Sequence, residues 1–359
     1  MTITTEEPYP ELKSELASPF AAIYDTKAKS KVTDKPVGTG PYQIDNYKRA
    51  QKLELTKFKD YWQGKPKLNK VNVTYHEDGN TRVDNLLSGK SDLTTDVPID
   101  RISDVKNSKK ANIQSTSGFR THLLLYNHQS KKINKNVREA LDMVINRKEI
   151  AKNISKNYAK PASTPFNDRL KNVENDKVQP QDIEKAKKLL AQEGFSKSHP
   201  LKINMVTYDG RPELPKIGQV IQSEAKKANI DIQLRNVDDI DGYLKDPKAW
   251  DVSMYSYLTI PRGDTGYFFN TAYLPIGALN KGHYNNKEVT QLIKKLNTSF
   301  GEKQRASVTN EILEKSKGDI PNSYITYNDQ IDGVSSKVKN FNVTPESIYL
   351  IDYKVSKKE

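Results

Sequence analysis

The clearest pattern in the first third of the chain is an alternation of apolar and polar positions between Val37 and Glu77. Three stretches, YQIDNY, KLELTKF and VNVTYH, alternate with a period of two, and turn residues separate them. Successive side chains of a strand point to opposite faces, so this period predicts three half-buried strands. The opening MTITTEEPYP also predicts a strand, with a short helix after it, and Leu93 and Val97 indicate another short strand.

Helical spacing dominates several later segments. NTRVDNLLSG places its apolar residues on one face and ends at Gly89, a residue type that commonly terminates helices. NKNVREALDMVINRKEIAKNI and PQDIEKAKKLLAQEGF repeat apolar residues at three- and four-residue spacing. Each of these two segments predicts an amphipathic helix, and two more helices are predicted between Val289 and Lys315.

The second half of the chain alternates strands with helices. GFRTHLLLY is typical of a buried strand, because Leu123 to Tyr126 are consecutively apolar or aromatic. LKINMVTYDG, IDIQLRNV and WDVSMYSYLTI predict three further strands, with the helix GQVIQSEAKKAN between the first two. This order predicts an α/β lobe. SYITY, IDGVS and IYLIDYKVS predict strands that close the chain.

Composition excludes several functional classes. The chain has 58 Lys and Arg against 45 Asp and Glu, a formal charge of +13, but the two signs are mixed along the sequence, as in KSKVTDK. We interpret this as a lysine-rich solvated surface, not as a nucleic-acid-binding face. The chain has no cysteine, which excludes disulfides, thiolate nucleophiles and cysteine metal sites. Hydrolase patterns such as GxSxG and HExxH are absent, so an enzyme is not supported.

Five motifs follow one another over nearly the whole chain: VGTGPYQI, KDYWQGKPKLNKVNVTY, a helix that ends in LLSGKSDL, LLLYNHQSKKINKNVREALDMVINRKEI, and KLLAQEGF. In these residues and in their order, the chain resembles the family 5 extracellular solute-binding proteins. These are the receptors of ABC importers for peptides, opines or nickel complexes, and the resemblance is to the nickel-binding branch of Gram-positive bacteria. It implies an α/β, two-lobed type II (class C) periplasmic-binding-protein-like fold without catalytic activity.

The resemblance also implies a domain organisation. We expect a partial, β-rich first lobe over residues 1–117, an α/β second lobe over 118–335, and strands over 336–359 that return to the first lobe. In the family, part of the first lobe and the export signal precede the TITTEEPYP region. The resemblance therefore predicts an N-terminally truncated chain whose incomplete first lobe leaves an exposed sheet edge.

The candidate ligand site is the segment 255–286, YSYLTIPRGDTGYFFNTAYLPIGALNKGHYNN. It combines aromatic, cationic, acidic and imidazole side chains without a regular period, and long irregular segments of this kind are usually functional. In a two-lobed binder, loops at strand ends bring such groups together around the ligand. We predict ligand contacts from Tyr255, Tyr257, Arg262, Asp264, Tyr267 and Asn270.

In the peptide-binding branch, the segment that this one resembles has a WxxDYxxP pattern, and the first Asp of that pattern pairs with the ligand's amino terminus. Aligned on Asp264, Pro261 stands at that Asp position and Arg262 at the following aromatic position. The guanidinium of Arg262 is suited to a carboxylate, which favours a metal chelate over a peptide. In the nickel-binding branch one histidine sometimes contacts the metal. His283 stands at about that position, with a solvated surface histidine as the alternative.

The predicted function is the substrate-binding component of an ABC importer. Its ligand would be nickel, or a related transition metal, chelated by histidine or an opine-type metallophore; a short peptide is the alternative. No resident cofactor is predicted. The predicted partners are permease and ATPase subunits, with no nucleic acid, and the protein is expected to be a monomer on the extracellular face of the membrane, lipid-anchored in its full-length form. His122 and His128 are interpreted as structural, and Arg138 as a helix-surface ion pair.

Overall fold

The computed structural model describes residues 2–28, 31, 33–174, 176–346 and 348–358. They form two compact units. Unit 1 comprises the residues up to Glu15 and Phe119–Asn328, and unit 2 comprises Leu16–Gly118 and the chain from Asp329 onward. These boundaries differ from the predicted ones, because the chain changes unit inside two continuous strands and because the first residues group with unit 1.

The strands and helices have the following bounds. The strands are β1 (Tyr42–Lys48), β2 (Lys52–Lys57), β3 (Lys70–Thr74), β4 (Leu93–Thr94), β5 (Ala111–Tyr126), β6 (Ala159–Pro161), β7 (Leu201–Thr207), β8 (Ile230–Asn236), β9 (Val252–Leu258), β10 (Asn322–Ser335), β11 (Val338–Lys339) and β12 (Ser356–Lys357). The α-helices are α1 (Leu12–Leu16), α2 (Gly79–Ser88), α3 (Ile102–Asn107), α4 (Lys135–Val144), α5 (Arg147–Glu149), α6 (Ile183–Gln192), α7 (Glu213–Lys227), α8 (Ile240–Tyr243), α9 (Gly266–Phe268), α10 (Lys287–Asn297) and α11 (Glu302–Lys317). Short 3₁₀ segments are Pro19–Ala21 and Ile99–Arg101, and π segments are Ile150–Ile154 and Phe269–Tyr273.

Unit 1 is built on a mixed sheet with the strand order β6, β10, β5, β9, β7, β8. Strands β7, β8 and β9 are parallel to one another, whereas β5 runs antiparallel to β9. Alternate residues of the central strands enter different cores. Leu124, Val252 and Met254 pack on the face that α4, α6 and α7 cover, while Leu123, Tyr255 and Tyr257 pack on the other face. The α/β prediction for this part of the chain is confirmed.

The helix predicted from Asn134 to Ile154 is interrupted. Asn134 begins α4, its side chain accepting a hydrogen bond from the Val137 amide at 3.0 Å. The helix ends where Ile145 adopts an extended backbone, and Asn146 then starts a second helical segment by accepting from the Glu149 amide at 3.2 Å. Asparagine favours a cap over a helix interior because its side chain competes for backbone donors. The prediction of one continuous helix missed this internal cap.

Two predicted strands are wrong. The described residues of the opening segment, from Thr2 to Tyr9, form no strand, and of IYLIDYKVS only Ser356 lies in a strand, as the first residue of β12. Both segments have the alternation of a strand, yet a strand forms only where a partner strand can receive its hydrogen bonds. In contrast, SYITY and IDGVS, predicted as two strands, join into the single long strand β10.

Unit 2 contains an antiparallel sheet in the order β1, β2, β3 and the two-stranded pair of β11 and β12. Gly89 ends α2 in the left-handed conformation, with φ of 81°, as predicted. One hydrophobic cluster of unit 2 centres on Val334, Phe341 and Val355. Large apolar side chains are solvent-exposed on this unit; Phe20 is 92% exposed and Trp62 74%.

Asp332 makes the stability of unit 2 depend on pH. Burial and the charge of Asp96 raise the pKa of Asp332 to about 6, although a 2.8 Å hydrogen bond from Gln330 opposes the shift. The folded protein therefore holds this proton more tightly than the unfolded chain, so its stability should fall as the pH rises from about 4 to about 6. We expect Asp332→Asn to raise the free energy of unfolding at pH 7 by roughly 1–3 kcal/mol.

Urea titrations of both proteins between pH 4 and pH 7 check this prediction. The Asn variant should show a flatter profile, and the two curves should meet at the acidic end. Asp60→Asn, at an exposed carboxylate elsewhere on unit 2, is the control and should keep the wild-type slope. An equal slope in the Asp332 variant would contradict the assignment.

No helix in the described part of the chain is long and apolar enough to span a membrane.

Candidate functional site

The polar groups of unit 1 gather at one edge of its sheet. The parallel strands β7, β8 and β9 end at this edge, and the antiparallel β5 enters unit 1 there, with Arg120 paired to Leu258. We call this edge the carboxyl edge. In open α/β sheets, ligands bind outside the carboxyl ends of the strands, because the loops there carry convergent polar groups. The carboxyl edge is therefore the candidate site.

Tyr255 and Tyr257 form the aromatic part of this edge. Their rings lie 4.9 Å apart, and the Tyr208 ring, just after β7, lies 6.1 Å from that of Tyr255. The Tyr255 hydroxyl donates to Asp241 at 2.8 Å, and the Tyr257 hydroxyl donates to a backbone carbonyl. Burial, with the neighbouring acidic group, raises the pKa of both phenols. They stay neutral at physiological pH, and both belong to a hydrophobic core cluster, with Tyr255 7% and Tyr257 3% exposed.

On the opposite face of the same strands, a buried histidine links three elements. His122 is fully buried; its Nδ1 lies 2.9 Å from the Ser256 hydroxyl and its Nε2 lies 2.8 Å from Glu213, the first residue of α7. Burial lowers the pKa of His122, so the neutral ring donates to the Glu213 carboxylate and accepts from Ser256. The side chain of Arg120 reaches the Ser256 hydroxyl at 3.4 Å. As predicted, His122 has a structural role.

Two arginines lie beside the loop that follows β9, and each is paired with acidic groups. Arg305, on α11, donates hydrogen bonds to both carboxylate oxygens of Asp264, at 2.9 and 2.7 Å, and to Glu11 at 2.9 Å. Arg262 pairs with Glu15, and its guanidinium carbon lies 5.3 Å from the centre of the Tyr267 ring. Burial and the charge of Asp264 raise the pKa of Glu11, against the opposing effect of Arg305.

The structure separates the predicted ligand-binding residues into two groups. Tyr255, Tyr257, Arg262 and Tyr267 lie at or next to the carboxyl edge. Asp264 and Asn270 use their polar atoms inside unit 1: Asp264 holds Arg305, and the Asn270 and Asn297 amides exchange two hydrogen bonds, of 2.9 and 2.8 Å. Only Arg262, with 29% of its side chain exposed, combines a charge with access to a ligand.

His283 lies at the other end of the sheet. The backbone amide of His128 donates to the carbonyl of Gly282 at 2.8 Å, next to the end of β5 at Tyr126. Six residues of strand separate Tyr126 from Arg120, which corresponds to about 20 Å. His283 is exposed and has a positive φ of 58°. The structure thus does not bring it together with Arg262 and the tyrosines.

No group of three or more His, Cys, Asp or Glu side chains that could hold a metal ion occurs among the residues the structure describes. His128, interpreted as structural, bonds the carbonyl of Pro321 at 3.0 Å. Arg138 donates to backbone carbonyls, including that of Asp319 at 2.7 Å, so the predicted ion pair on the helix surface is wrong. A metal bound by this protein would have to arrive with ligands of its own.

Several polar residues of the carboxyl edge were missed by the sequence reasoning. They are Arg120, Tyr208, Arg211 and Asp241, whose charges and rings interact around His122 and Tyr255. Two simple signals were available. Tyr208 lies near the end of the predicted strand LKINMVTYDG and Arg211 directly follows it, while Arg120 lies near the start of the predicted strand GFRTHLLLY. Applying the rule of carboxyl strand ends to the predicted parallel strands would have found them.

Comparison with known proteins agrees with this fold. Residues 1–278 match the family described as bacterial extracellular solute-binding proteins, family 5 Middle. The chain belongs to this family. Its members are solute-binding proteins of ABC transporters, so the chain is a binding protein and not an enzyme, and the resemblance seen in the sequence motifs is confirmed.

Individual relatives show which members of the family this chain is similar to. The nickel-binding protein NikA of Staphylococcus aureus is 59% identical over 356 residues, which cover 99% of this chain and 72% of that protein. Its crystal structure in complex with Ni(L-His)2 aligns with a TM-score of 0.85 over 99% of this chain and 77% of that one. A nickel ABC transporter structure from Bacillus halodurans aligns with a TM-score of 0.82 at 32% identity, covering 98% and 76% of the two chains. The dipeptide-binding protein DppE of Bacillus subtilis is 27% identical over 86% of this chain and 58% of its own length. The periplasmic-binding-protein fold predicted from the sequence is thereby confirmed.

Proposed function

We propose that this chain captures nickel as a chelate with histidine and delivers it to an ABC importer. The observation that carries the proposal is the 59% identity, over 99% of the chain, to a nickel-binding protein whose structure contains Ni(L-His)2. Nickel accepts imidazole nitrogen readily, and a histidine chelate leaves carboxylates available for the protein to recognise. The alternative, a short peptide, is favoured only by the more distant dipeptide-binding relative.

The carboxyl edge of unit 1 would supply part of the recognition. We propose that Arg262 receives a chelate carboxylate, since a guanidinium binds carboxylate oxygens in pairs. Tyr255, Tyr257 and Tyr267 would provide the aromatic surface around it. Asp264 and Asn270 would not contact the chelate themselves; they would hold the loop after β9 and α11 in place. A direct bond from His283 to the metal remains a prediction, and its position at the far end of the sheet gives it no support.

The partners and the location form the finer part of the proposal. Membership of an extracellular solute-binding family supports an extracellular protein with a membrane permease as partner. We propose an associated ATPase and a lipid anchor on the outer face of the membrane for the full-length protein. Deletion of the gene for the partner permease should leave nickel binding by this protein intact and abolish nickel uptake by whole cells.

Isothermal titration calorimetry tests the ligand. The tag-free protein should release or absorb heat with Ni²⁺ and L-histidine together, while Ni²⁺ alone gives only weak binding, because the described residues form no cluster of three metal ligands. L-Histidine alone and a set of di- and tripeptides are the controls. Binding of peptides without binding of nickel–histidine would overturn the proposal.

A further inference from the structure

A cavity lies in unit 1, at the end of the sheet opposite the carboxyl edge. It has a volume of about 350 Å³ and lies between α4, the end of α11, the start of β10 and the residues around Thr164. Strand β5 shows where the cavity lies. Tyr126 is the last residue of β5, away from the carboxyl edge, and its hydroxyl lies 2.5 Å from that of Ser323. Ser323 directly follows Asn322, which lines the cavity. The volume falls within the range of small-molecule sites.

The floor of this cavity is polar and has an unused acceptor. The hydroxyls of Tyr273 and Tyr324 lie 2.6 Å apart, with Ser316 nearby. Asn322 is only 7% exposed, and its side-chain oxygen has no hydrogen-bond partner in the described part of the protein. Buried amide oxygens are almost always paired, so this unpaired one is a place for a ligand N–H or O–H group, which meets it once the Asn322 side chain turns its closed-off oxygen toward the cavity.

The charges around the cavity leave a positive excess. Three pairs neutralise one another: Arg147 with Asp142, Lys185 with Glu139 at 3.7 Å, and Lys317 with Asp176 at 3.0 Å. The two remaining cations that line it are Lys135 and Lys177, for which no acidic partner is found among the described residues. Two unpaired ammonium groups beside a small cavity favour an anionic ligand.

One wall of the cavity is held in an unusual conformation. Ile320 has a positive φ of 50° directly before Pro321, a combination that is disfavoured for a β-branched residue. Contacts on both sides hold it there: Arg138 binds the carbonyl of Asp319 at 2.7 Å, and His128 binds that of Pro321 at 3.0 Å. A wall fixed in this way loses little freedom when a ligand enters.

We propose that this cavity binds a small organic acid that also carries an amino or hydroxyl group, such as an amino acid or a hydroxy acid. The carboxylate is held by Lys135 and Lys177, and the N–H or O–H group donates to the vacant oxygen of Asn322. Its short apolar part packs against Met143 and Leu313. This site is separate from the nickel proposal and does not depend on it.

The test measures binding of single compounds to the whole chain. The common L-amino acids, L-lactate and L-malate are each screened by thermal shift, and those that raise the melting temperature are titrated by calorimetry at two salt concentrations. Two variants challenge the site: the double variant Lys135→Ala with Lys177→Ala, and Asn322→Leu, which removes the acceptor and fills its space. The control is Lys148→Ala with Lys202→Ala, two exposed lysines elsewhere on unit 1.

We expect at least one acid to bind the wild-type and control proteins equally. The double lysine variant should lose about tenfold or more in affinity, together with most of the salt dependence. Asn322→Leu should lose binding altogether, while it keeps wild-type affinity for nickel–histidine and a normal melting temperature. If no compound raises the melting temperature of the wild type, or if both variants bind as tightly as the wild type, the proposal is overturned. Failure of nickel–histidine binding alone would leave these results unchanged.

Discussion

Replacing Arg305 with methionine should lower the free energy of unfolding by about 3–5 kcal/mol at neutral pH. The arginine lies on α11 with 11% of its side chain exposed and binds two carboxylates, Asp264 and Glu11, that are themselves 17% and 13% exposed. Methionine preserves the apolar stem but leaves both carboxylates without a cation. Breaking a buried charge pair by removing one partner is costly for this reason.

Urea unfolding followed by circular dichroism gives the measurement, with linear extrapolation to water. Lys303→Met, two residues earlier on the same helix and solvent-exposed, is the matched control and should change stability by less than about 0.5 kcal/mol. A loss below about 1 kcal/mol in the Arg305 variant would mean that its ion pairs behave like exposed ones.

The second large effect concerns the ligand. Arg262→Ala should weaken nickel–histidine binding about 10- to 100-fold, since a hydrogen-bonded charge contributes roughly 1.5–3 kcal/mol. The affinity of Arg262→Lys should lie between those of Arg262→Ala and the wild type, because the ammonium group keeps the charge but lacks the two parallel donors of the guanidinium. Arg49→Ala, an exposed arginine of unit 2, is the control.

Glu15 supplies an internal check on this assignment. Its carboxylate already binds Arg262, so an incoming carboxylate has to displace it. Glu15→Gln should therefore tighten nickel–histidine binding, opposite in direction to Arg262→Ala. If both variants bind like the wild type, the carboxylate contact lies elsewhere on the carboxyl edge, with Arg120 and Arg211 as the next residues to replace.

The sequence predicted most of unit 1 because its elements are long and strongly periodic. β7, α7, β8 and β9 each carry an unbroken apolar pattern, and all four formed as predicted. The opening segment and IYLIDYKVS failed for a different reason. Alternation marks a side-chain pattern, whereas a strand also needs a neighbouring backbone, and the pattern of one segment contains no information about its neighbour.

The site was harder to predict than the fold. The irregular segment 255–286 was recognised correctly as unusual, but its length along the chain conceals how its residues separate in space. Arg262 and His283 are close in sequence, yet they lie toward opposite ends of a sheet. The polar partners of Tyr255 come from three other elements, which only the strand order brings together.

The triple contact of Arg305 with Asp264 and Glu11 also has an evolutionary consequence. The three charged residues lie far apart in the sequence, yet each of these partly buried charges is stabilised by the other two. Natural variants should therefore replace the three residues together, so that an apolar residue at position 305 is accompanied by uncharged residues at positions 11 and 264. A survey of orthologous genes would reveal this as correlated substitution.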